Sequence, residues 1–181
     1  MCIRDSQERA ARREIVDIKT EVKGQLELAG PHGPFTLVAV ADRIDRLKNE
    51  RLRIIDYKTG APPTQKEISA GFAPQLPLEA AIANSGGFKS ILGNNVSALN
   101  YWRLKGGTPA GEISSAGENI HKLAKDAING LENLIKAFDH KDTPYEARPR
   151  PEQAPKYSDY EHLARVKEWI VSDMMWENRE E

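Results

Sequence analysis

Apolar and polar residues alternate along the first third of the chain, which is the pattern of strands that bury one face. Residues 18–30 place valine, glycine and leucine on one side and glutamate, lysine and glutamine on the other. Residues 35–47 and 51–58 are two further apolar segments, each preceded by a short polar connection. The pattern predicts three consecutive antiparallel strands, with a helix over residues 7–17 before them.

Helical spacing dominates further along the chain. Residues 65–84 predict helix with a break at Gly71–Pro74, because glycine and proline interrupt helices. Residues 97–104 predict a fourth strand, followed by a glycine-rich loop, and residues 118–138 predict a long amphipathic helix. The apolar face expected for that helix consists of Ile120, Leu123, Ala127, Leu131, Leu134 and Phe138. Mixed strands and helices predict an α/β (α+β) domain with a central sheet.

Length and composition limit the classes of protein that fit. The chain has 181 residues, a net charge of -1 and no apolar run long enough to cross a membrane. We therefore expect no membrane partner and a cytoplasmic location. The single cysteine excludes a four-cysteine zinc or iron–sulfur site. Residues 1–6 are expected to be a non-native artefact, residues 7–157 the core, and residues 158–181 a final helix and tail.

Two aspartates stand among the apolar positions of the predicted strands. Asp42 shares the two-residue spacing of Val38, Val40 and Ile44, and Asp56 continues the apolar spacing of the third strand. Burying a carboxylate is unfavourable unless the group is paired or binds a metal. Because carboxylate oxygens are the ligands of hard cations, two of them on neighbouring strands indicate a cation site.

Lys58 leaves two interpretations open. It follows Asp56 by two residues and precedes a turn, so it fits a plain ion pair at a strand end or a lysine that acts beside a metal. Asp45, on the opposite face from Asp42 and beside Arg43, is expected to form a structural ion pair. Glu21 is expected to be solvated, and a role at the metal site is kept as an alternative.

A resemblance joins these segments. The order ADRIDRL, LRIIDYKTG and PQLPLEAA resembles the PD-(D/E)XK nuclease superfamily, in the branch of the RecB, AddB and Cas4 nucleases and most of all the AddB type. The resemblance implies a restriction-endonuclease-like fold, with an antiparallel meander in a mixed sheet, and hydrolysis of DNA with Mg²⁺ or Mn²⁺. It further implies an AddA-type helicase–nuclease partner, double-strand break repair and recombination, and association with the bacterial nucleoid.

The resemblance assigns residues to the reaction. Asp42 and Asp56 match the metal-binding aspartates, and the backbone carbonyl of Tyr57 matches a further ligand. Lys58 matches the lysine of the D-x-K motif, which orients the attacking water or stabilises developing charge. A bound Mg²⁺ would lower the pKa of water and act as a Lewis acid.

Other parts of the family pattern are kept less completely. Gln75 matches the glutamine of a Q-x-x-x-Y motif, but Glu79 stands in the place of the tyrosine. The helix that carries a G-x-x-x-H metal ligand is expected upstream of residue 8, and none of the histidines of this chain replaces it.

Basic residues give a second set of candidates. Arg103, Lys105, Arg148 and Arg150 are candidate contacts to a DNA backbone, with a solvated basic face as the alternative. Trp102 and Trp169 are expected in the core. Two other functions stay open beside the leading one. They are an inactive nuclease-fold module for DNA binding or subunit docking, and a stand-alone Cas4-like exonuclease.

Overall fold

A computed structural model describes residues 12–106 and 111–145 of the protein. The chain divides into two compact units, residues 1–140 and 141–181, and every element given below belongs to the first unit. In chain order these elements are β1 (Ile15–Gly30), β2 (Gly33–Leu47), β3 (Leu52–Lys58), α1 (Gln65–Ser69), α2 (Gln75–Asn84), β4 (Val96–Leu104), β5 (Gly111–Ser115) and α3 (Ile120–Phe138). No helix in these two ranges is long and apolar enough to cross a membrane.

The strands form one mixed sheet in the order β1-β2-β3-β4-β5. The first three strands pair antiparallel, β3 and β4 pair parallel, and β4 and β5 pair antiparallel. The expected α/β class with an antiparallel meander in a mixed sheet is therefore confirmed. The parallel step requires a crossover, which residues 59–95 supply with α1 and α2.

Two local predictions are wrong. The helix predicted over residues 7–17 includes residues 15–17, but β1 begins at Ile15 and pairs there with the end of β2. The β-branched residues at 15 and 16 favour the strand. Strand β5 lies in a segment predicted as loop. Its only large apolar residue is Ile113, which is 47% exposed, so it carries no apolar alternation to detect.

The helical break between α1 and α2 is as predicted. Thr64 caps α1 by accepting from the Glu67 N–H, while the Glu67 side chain accepts from the Thr64 N–H. This reciprocal pair satisfies two donors that a helix start leaves open. The chain then turns at Gly71, whose φ of 80° suits glycine. Helix α2 begins directly after Pro74.

The apolar face of α3 agrees with the prediction at Ile120 and Leu123 and differs from it at Leu134 and Phe138. The buried residues are Ile120, Ala124 and Ile135, whereas Leu134 and Phe138 are 54% and 41% exposed. An α-helix has about 3.6 residues per turn. Residue 135 therefore lies about three turns after residue 124 and on the same face of the helix. Leu134 and Phe138 lie to one side of that line.

The core lies where α2 and α3 cover the sheet. Residues from β3, β4 and α2 dominate it, with Phe88 closing one side. Gly24 of β1 allows this closure, because a Cβ atom there would stand 2.4 Å from the Phe88 ring. The hairpin of β1 and β2 can therefore rest directly on the aromatic ring.

The alternation of β2 changes side at Asp42. Ala41 and Ile44 both join the core cluster although they are three residues apart. Val38 and Val40, predicted to share a buried face with Asp42 and Ile44, are instead 63% and 44% exposed. That prediction is correct for Ile44 alone, because the regular alternation does not continue through this point.

The neighbouring strand has its irregularity at the same level. Glu21 adopts a left-handed φ of 53° between the paired positions Thr20↔Arg43 and Val22↔Ala41. It therefore stands opposite Asp42, and non-glycine residues adopt such a φ only at some energetic cost. The left-handed residue of β1 and the change of side in β2 therefore lie at the same level of the hairpin.

Candidate active site

The two aspartates lie where β2 and β3 separate. Pairing between these strands runs from Arg46↔Leu52 to Arg43↔Ile55. The next pair would be Asp42 and Asp56. At that level the Asp42 side chain, and not a backbone group, makes the contact between the two strands. The Tyr57 N–H donates to Asp42 Oδ2 at 2.9 Å, while Tyr57 itself continues in the ladder with β4. Both carboxylates thus belong to one fork in the sheet.

Asp56 and Lys58 form an ion pair at the end of β3. Asp56 is 2% exposed, and its Oδ2 lies 2.8 Å from Lys58 Nζ, which donates a hydrogen bond to Oδ1 at 3.1 Å. Oδ2 accepts no well-formed hydrogen bond from the described residues despite this short contact. The lysine–carboxylate pair expected from the spacing is present, and one oxygen retains acceptor capacity.

Gln75 connects helix α2 to this pair. As the first residue of α2, it accepts from Lys58 Nζ through Oε1 at 3.3 Å. Its amide nitrogen Nε2 donates to Glu79 Oε1 at 3.2 Å. An ammonium can only donate, so the end of the amide that faces Lys58 must be the oxygen. The four side chains Asp56, Lys58, Gln75 and Glu79 therefore form one connected series.

Glu79 is a buried acid of this series, and its pKa is raised. It is 2% exposed, and its Oε2 has no hydrogen-bond partner among the described residues. Burial raises the pKa of Glu79 to about 7, against the opposing effect of the Gln75 hydrogen bond and with smaller increases from the charges of Asp56 and Asp42. Glu79 stood out in the sequence only as a departure from a motif. The available signal was its position four residues after Gln75 within an apolar helical segment.

Tyr101 is a second residue that sequence reasoning missed. It lies beside Asp56 in the β3–β4 ladder, is 1% exposed, and has a hydroxyl without a hydrogen-bond partner in the described part of the chain. Burial, followed by the charges of Asp56 and Glu79, raises the pKa of Tyr101 to about 12. Lys58 Nζ lies 6.0 Å from the centre of its ring. Tyr101 thus forms an uncharged wall beside the ion pair.

The other face of the sheet carries a structural ion cluster, as predicted for Asp45. Arg43 Nε lies 2.6 Å from Asp45 Oδ1, and Arg53 Nη2 lies 2.7 Å from Oδ2 of the same carboxylate. Burial alone would lower the pKa of the Arg43 guanidinium, but hydrogen bonds to Asp45 and Tyr57 raise it overall. Trp102, 5% exposed and 5.1 Å from the Arg43 guanidinium, is a core residue as expected.

The remaining candidate site residues lie near the fork or outside the residues that the structure describes. Glu21 is exposed opposite Asp42. Arg103 pairs with Lys58 in the β3–β4 ladder, and Lys105 follows the end of β4 in an exposed position. The side chains at this end of the sheet therefore add positive charge beside Lys58. Arg148, Arg150 and Trp169 lie outside the described residues.

The donor set suits a hard cation with few protein ligands. No group of three or more histidine, cysteine, aspartate or glutamate side chains in residues 12–106 and 111–145 forms a ready metal cage. Mg²⁺ keeps several waters and needs only one or two carboxylates from the protein. Asp42 and Asp56 supply two, and Asp56 Oδ2, which pairs with Lys58 but accepts no well-formed hydrogen bond from the described residues, is a buried acceptor of the required type. The residues present therefore fit such an ion.

Comparison with known proteins identifies a family and several relatives of this chain. A sequence model described as the PD-(D/E)XK nuclease superfamily matches residues 1–179. An uncharacterized protein of Rickettsia bellii is 30% identical over 168 residues, which are 84% of this chain and 19% of that protein. An uncharacterized protein of Rickettsia felis is 36% identical over 110 residues, which are 58% of this chain and 13% of that protein.

The chain spans less than a fifth of the length of these two relatives. Among solved structures, the crystal structure of SSO0001 is similar over 71% of this chain and 56% of that one, with 13% identity and a TM-score of 0.38.

Proposed function

The chain belongs to the PD-(D/E)XK nuclease superfamily, and we propose that it is a nuclease domain that hydrolyses DNA phosphodiester bonds with Mg²⁺ or Mn²⁺. The observation that carries the proposal is the fork of β2 and β3. It brings Asp42 within hydrogen-bond distance of the peptide that follows Asp56, with Lys58 beside them. Two carboxylates can hold a cation that activates water, and an ammonium can stabilise the negative charge that develops on the phosphate.

Each residue of the fork has a distinct part in the proposed reaction. Asp42 and Asp56 would hold the cation, with the backbone carbonyl of Tyr57 as a further ligand. A cation held there acts as a Lewis acid on the phosphate and lowers the pKa of water. Lys58 orients the attacking water or offsets negative charge that develops on the phosphate. Gln75 holds the Lys58 ammonium from the helix side at 3.3 Å.

The surroundings of Lys58 favour approach of a phosphate. Lys58 is 32% exposed in its side chain, so a substrate can reach the ammonium from solvent. Arg103 and Lys105 lie at the same end of the sheet, and phosphate contacts in protein–DNA complexes come largely from such side chains. We include both residues in the proposed DNA-binding surface.

The decisive experiment is a cleavage assay on the 181-residue chain. Labelled single-stranded and double-stranded DNA are incubated with Mg²⁺, with Mn²⁺ or with a chelator. Cleavage that requires the metal and is lost in Asp56→Asn supports the proposal. The matched control is Asp126→Asn, which changes an exposed carboxylate on α3 and should cleave like the wild type. DNA binding without cleavage under every condition, both by this chain and by a longer chain that includes the helix expected upstream, would instead identify a non-catalytic module.

A more specific proposal concerns the partner and the biological role of this domain. We propose that the domain serves an AddAB-type helicase–nuclease in double-strand break repair, because the segments ADRIDRL, LRIIDYKTG and PQLPLEAA resemble AddB. The part of the Rickettsia bellii protein that matches this chain is 19% of its length, as for a domain of a larger protein. Coexpression with an AddA-type helicase subunit, followed by size-exclusion chromatography, tests the partner. Failure to form a complex, together with metal-dependent cleavage by the chain alone, would favour a stand-alone exonuclease.

A further inference from the structure

Glu79 has no part in the reaction outlined above, yet it is a buried acid that contacts Gln75. At 2% exposure it cannot contact a DNA strand at the surface, and its hydrogen-bond partner is the Gln75 amide. We propose that Glu79 is a positioning residue, which fixes the Gln75 amide so that its oxygen faces the ammonium of Lys58. The inference rests on the proposed nuclease function and assigns it one further residue.

The two ends of the Gln75 amide have different hydrogen-bond partners. The Gln75 oxygen accepts from Lys58, and the Gln75 nitrogen donates to Glu79 Oε1. A carboxyl oxygen accepts whether the group is ionised or carries a proton on its other oxygen. The ionised Glu79 carboxylate has no donor and therefore admits only this orientation of the amide, and the protonated group is compatible with it because the oxygen without the proton still accepts. In the reverse orientation, amide hydrogens would face the ammonium, and Lys58 would lose an acceptor.

This orientation of the Gln75 amide would matter most when Asp56 binds a cation. Lys58 Nζ has two described side-chain acceptors, which are Asp56 and Gln75. A cation held by Asp56 would compete with Lys58 for the negative charge of that carboxylate. Gln75 would then be the remaining described acceptor that holds the ammonium in place. The proposal thus predicts an effect on the chemical step rather than on DNA affinity.

Two other roles for Glu79 make different predictions. As a third cation ligand through Oε2, Glu79 would contribute directly to metal affinity. As a purely structural residue, it would affect stability without acting through Gln75. The variants Glu79→Leu, Glu79→Gln, Gln75→Ala and the double change Gln75→Ala with Glu79→Leu separate these roles, because a pair that acts as one unit gives non-additive effects.

Kinetics on the full chain supply the first test. We expect Glu79→Leu to lower kcat by about tenfold with KM for DNA nearly unchanged, and Glu79→Gln to recover most of the loss because its amide oxygen still accepts. In the Gln75→Ala background, Glu79→Leu should lower kcat by less than about twofold. Additive losses would overturn the proposal, and so would a Glu79→Gln variant as slow as Glu79→Leu.

Two measurements do not depend on cleavage. The side-chain amide signals of Gln75 in a ¹H–¹⁵N spectrum, assigned by their absence in Gln75→Ala, should be shifted and slowly exchanging in the wild type and in Glu79→Gln. They should resemble an exposed amide in Glu79→Leu, and unchanged signals there would overturn the proposal. Calorimetric titration with Mg²⁺ should give similar affinities for all Glu79 variants, whereas a loss of about tenfold would identify a cation ligand and overturn the positioning role. If the wild type fails to cleave DNA, the amide signals still decide the role of Glu79.

Discussion

Asp42 is bound to the peptide that joins Asp56 to Tyr57, because the Tyr57 N–H donates to Asp42 Oδ2 at 2.9 Å. One hydrogen bond therefore sets the position of the first carboxylate relative to the strand that carries the second. This bond uses Oδ2 of Asp42, and we propose that Oδ1 is the oxygen available to a cation. It also replaces the backbone pairing that ends at Arg43↔Ile55.

Asp42→Asn should separate the structural bond from cation binding. Asparagine can still accept from the Tyr57 N–H, so we expect the free energy of unfolding to change by less than about 1 kcal/mol. The loss of a charged ligand should lower the cleavage rate by at least about a hundredfold. Denaturant unfolding and the cleavage assay measure the two effects. A variant that cleaves at the wild-type rate would contradict the role of Asp42.

Lys58→Met should affect catalysis and metal binding in different directions. Loss of the ammonium should lower kcat by about a hundredfold or more, as for other groups that stabilise developing charge. The affinity for Mg²⁺ should stay equal or increase, because a positive charge 2.8 Å from Asp56 is removed. Steady-state kinetics and calorimetry measure these quantities. Weaker Mg²⁺ binding in a folded Lys58→Met variant would argue against this arrangement.

Glu79 should make the protein less stable as the pH rises. Its pKa is about 7 in the folded state and 4.5 in an unperturbed carboxyl group, so between these values the folded state binds more protons than the unfolded state. The contribution of Glu79 to stability is complete below about pH 4.5 and is lost as the pH increases through about 7.

Glu79→Gln removes this titration. We expect the variant to gain stability relative to the wild type as the pH increases from about 5 to about 8, with little further gain above that range. Denaturant unfolding of both proteins, in a chelator and at several pH values, measures the difference. A difference that stays constant over this range would contradict the raised pKa of Glu79.

Asp45→Asn should destabilise the fold without involving the fork. Asp45 is 0% exposed and balances two guanidinium groups, Arg43 and Arg53. Removing one partner from a buried ion cluster costs about 3–5 kcal/mol. The matched control is Asp126→Asn, which breaks an exposed pair with Lys122 and should cost less than about 1 kcal/mol. Equal stabilities of the two variants would show that the Asp45 cluster contributes little.

Two glycine-to-alanine changes should have opposite effects. At Gly24 a Cβ atom would lie 2.4 Å from the Phe88 ring and 2.9 Å from Ile82, so overpacking should cost about 1–3 kcal/mol. At Gly130 within α3, a Cβ atom would meet nothing within 4 Å beyond the helix's own backbone, so alanine should add about 1 kcal/mol of helix stability. Thermal and denaturant unfolding of both variants test this contrast. A Gly24→Ala variant as stable as the wild type would mean that the hairpin moves easily away from Phe88.

Local patterns in the sequence predicted most of the fold. The apolar alternation predicted β1, β2 and β3 as a meander, and Gly71 and Pro74 predicted the break between the two helices of the crossover. These features depend on neighbouring residues, through strand periodicity, capping and the restricted backbone of proline. The spacing of Asp56 and Lys58 placed both side chains on one face for the same reason, and their ion pair was one of the two interpretations it left open.

Long-range contacts decided what the local patterns could not. Val38 and Val40 have the spacing of a buried face, but the strand changes side at Asp42, opposite the left-handed backbone of Glu21. Leu134 and Phe138 are apolar and yet face solvent, because the side of α3 that meets the sheet is set by packing.

The same reason explains the candidate site. The sequence by itself determined that two aspartates, a lysine and a glutamine occur in an order that resembles a nuclease. Only the tertiary structure placed Gln75 against Lys58, and Glu79 in a buried position with its pKa raised to about 7. Burial and the field of Asp56 and Asp42 perturb Glu79, and both depend on residues that are distant in the chain and adjacent in the fold.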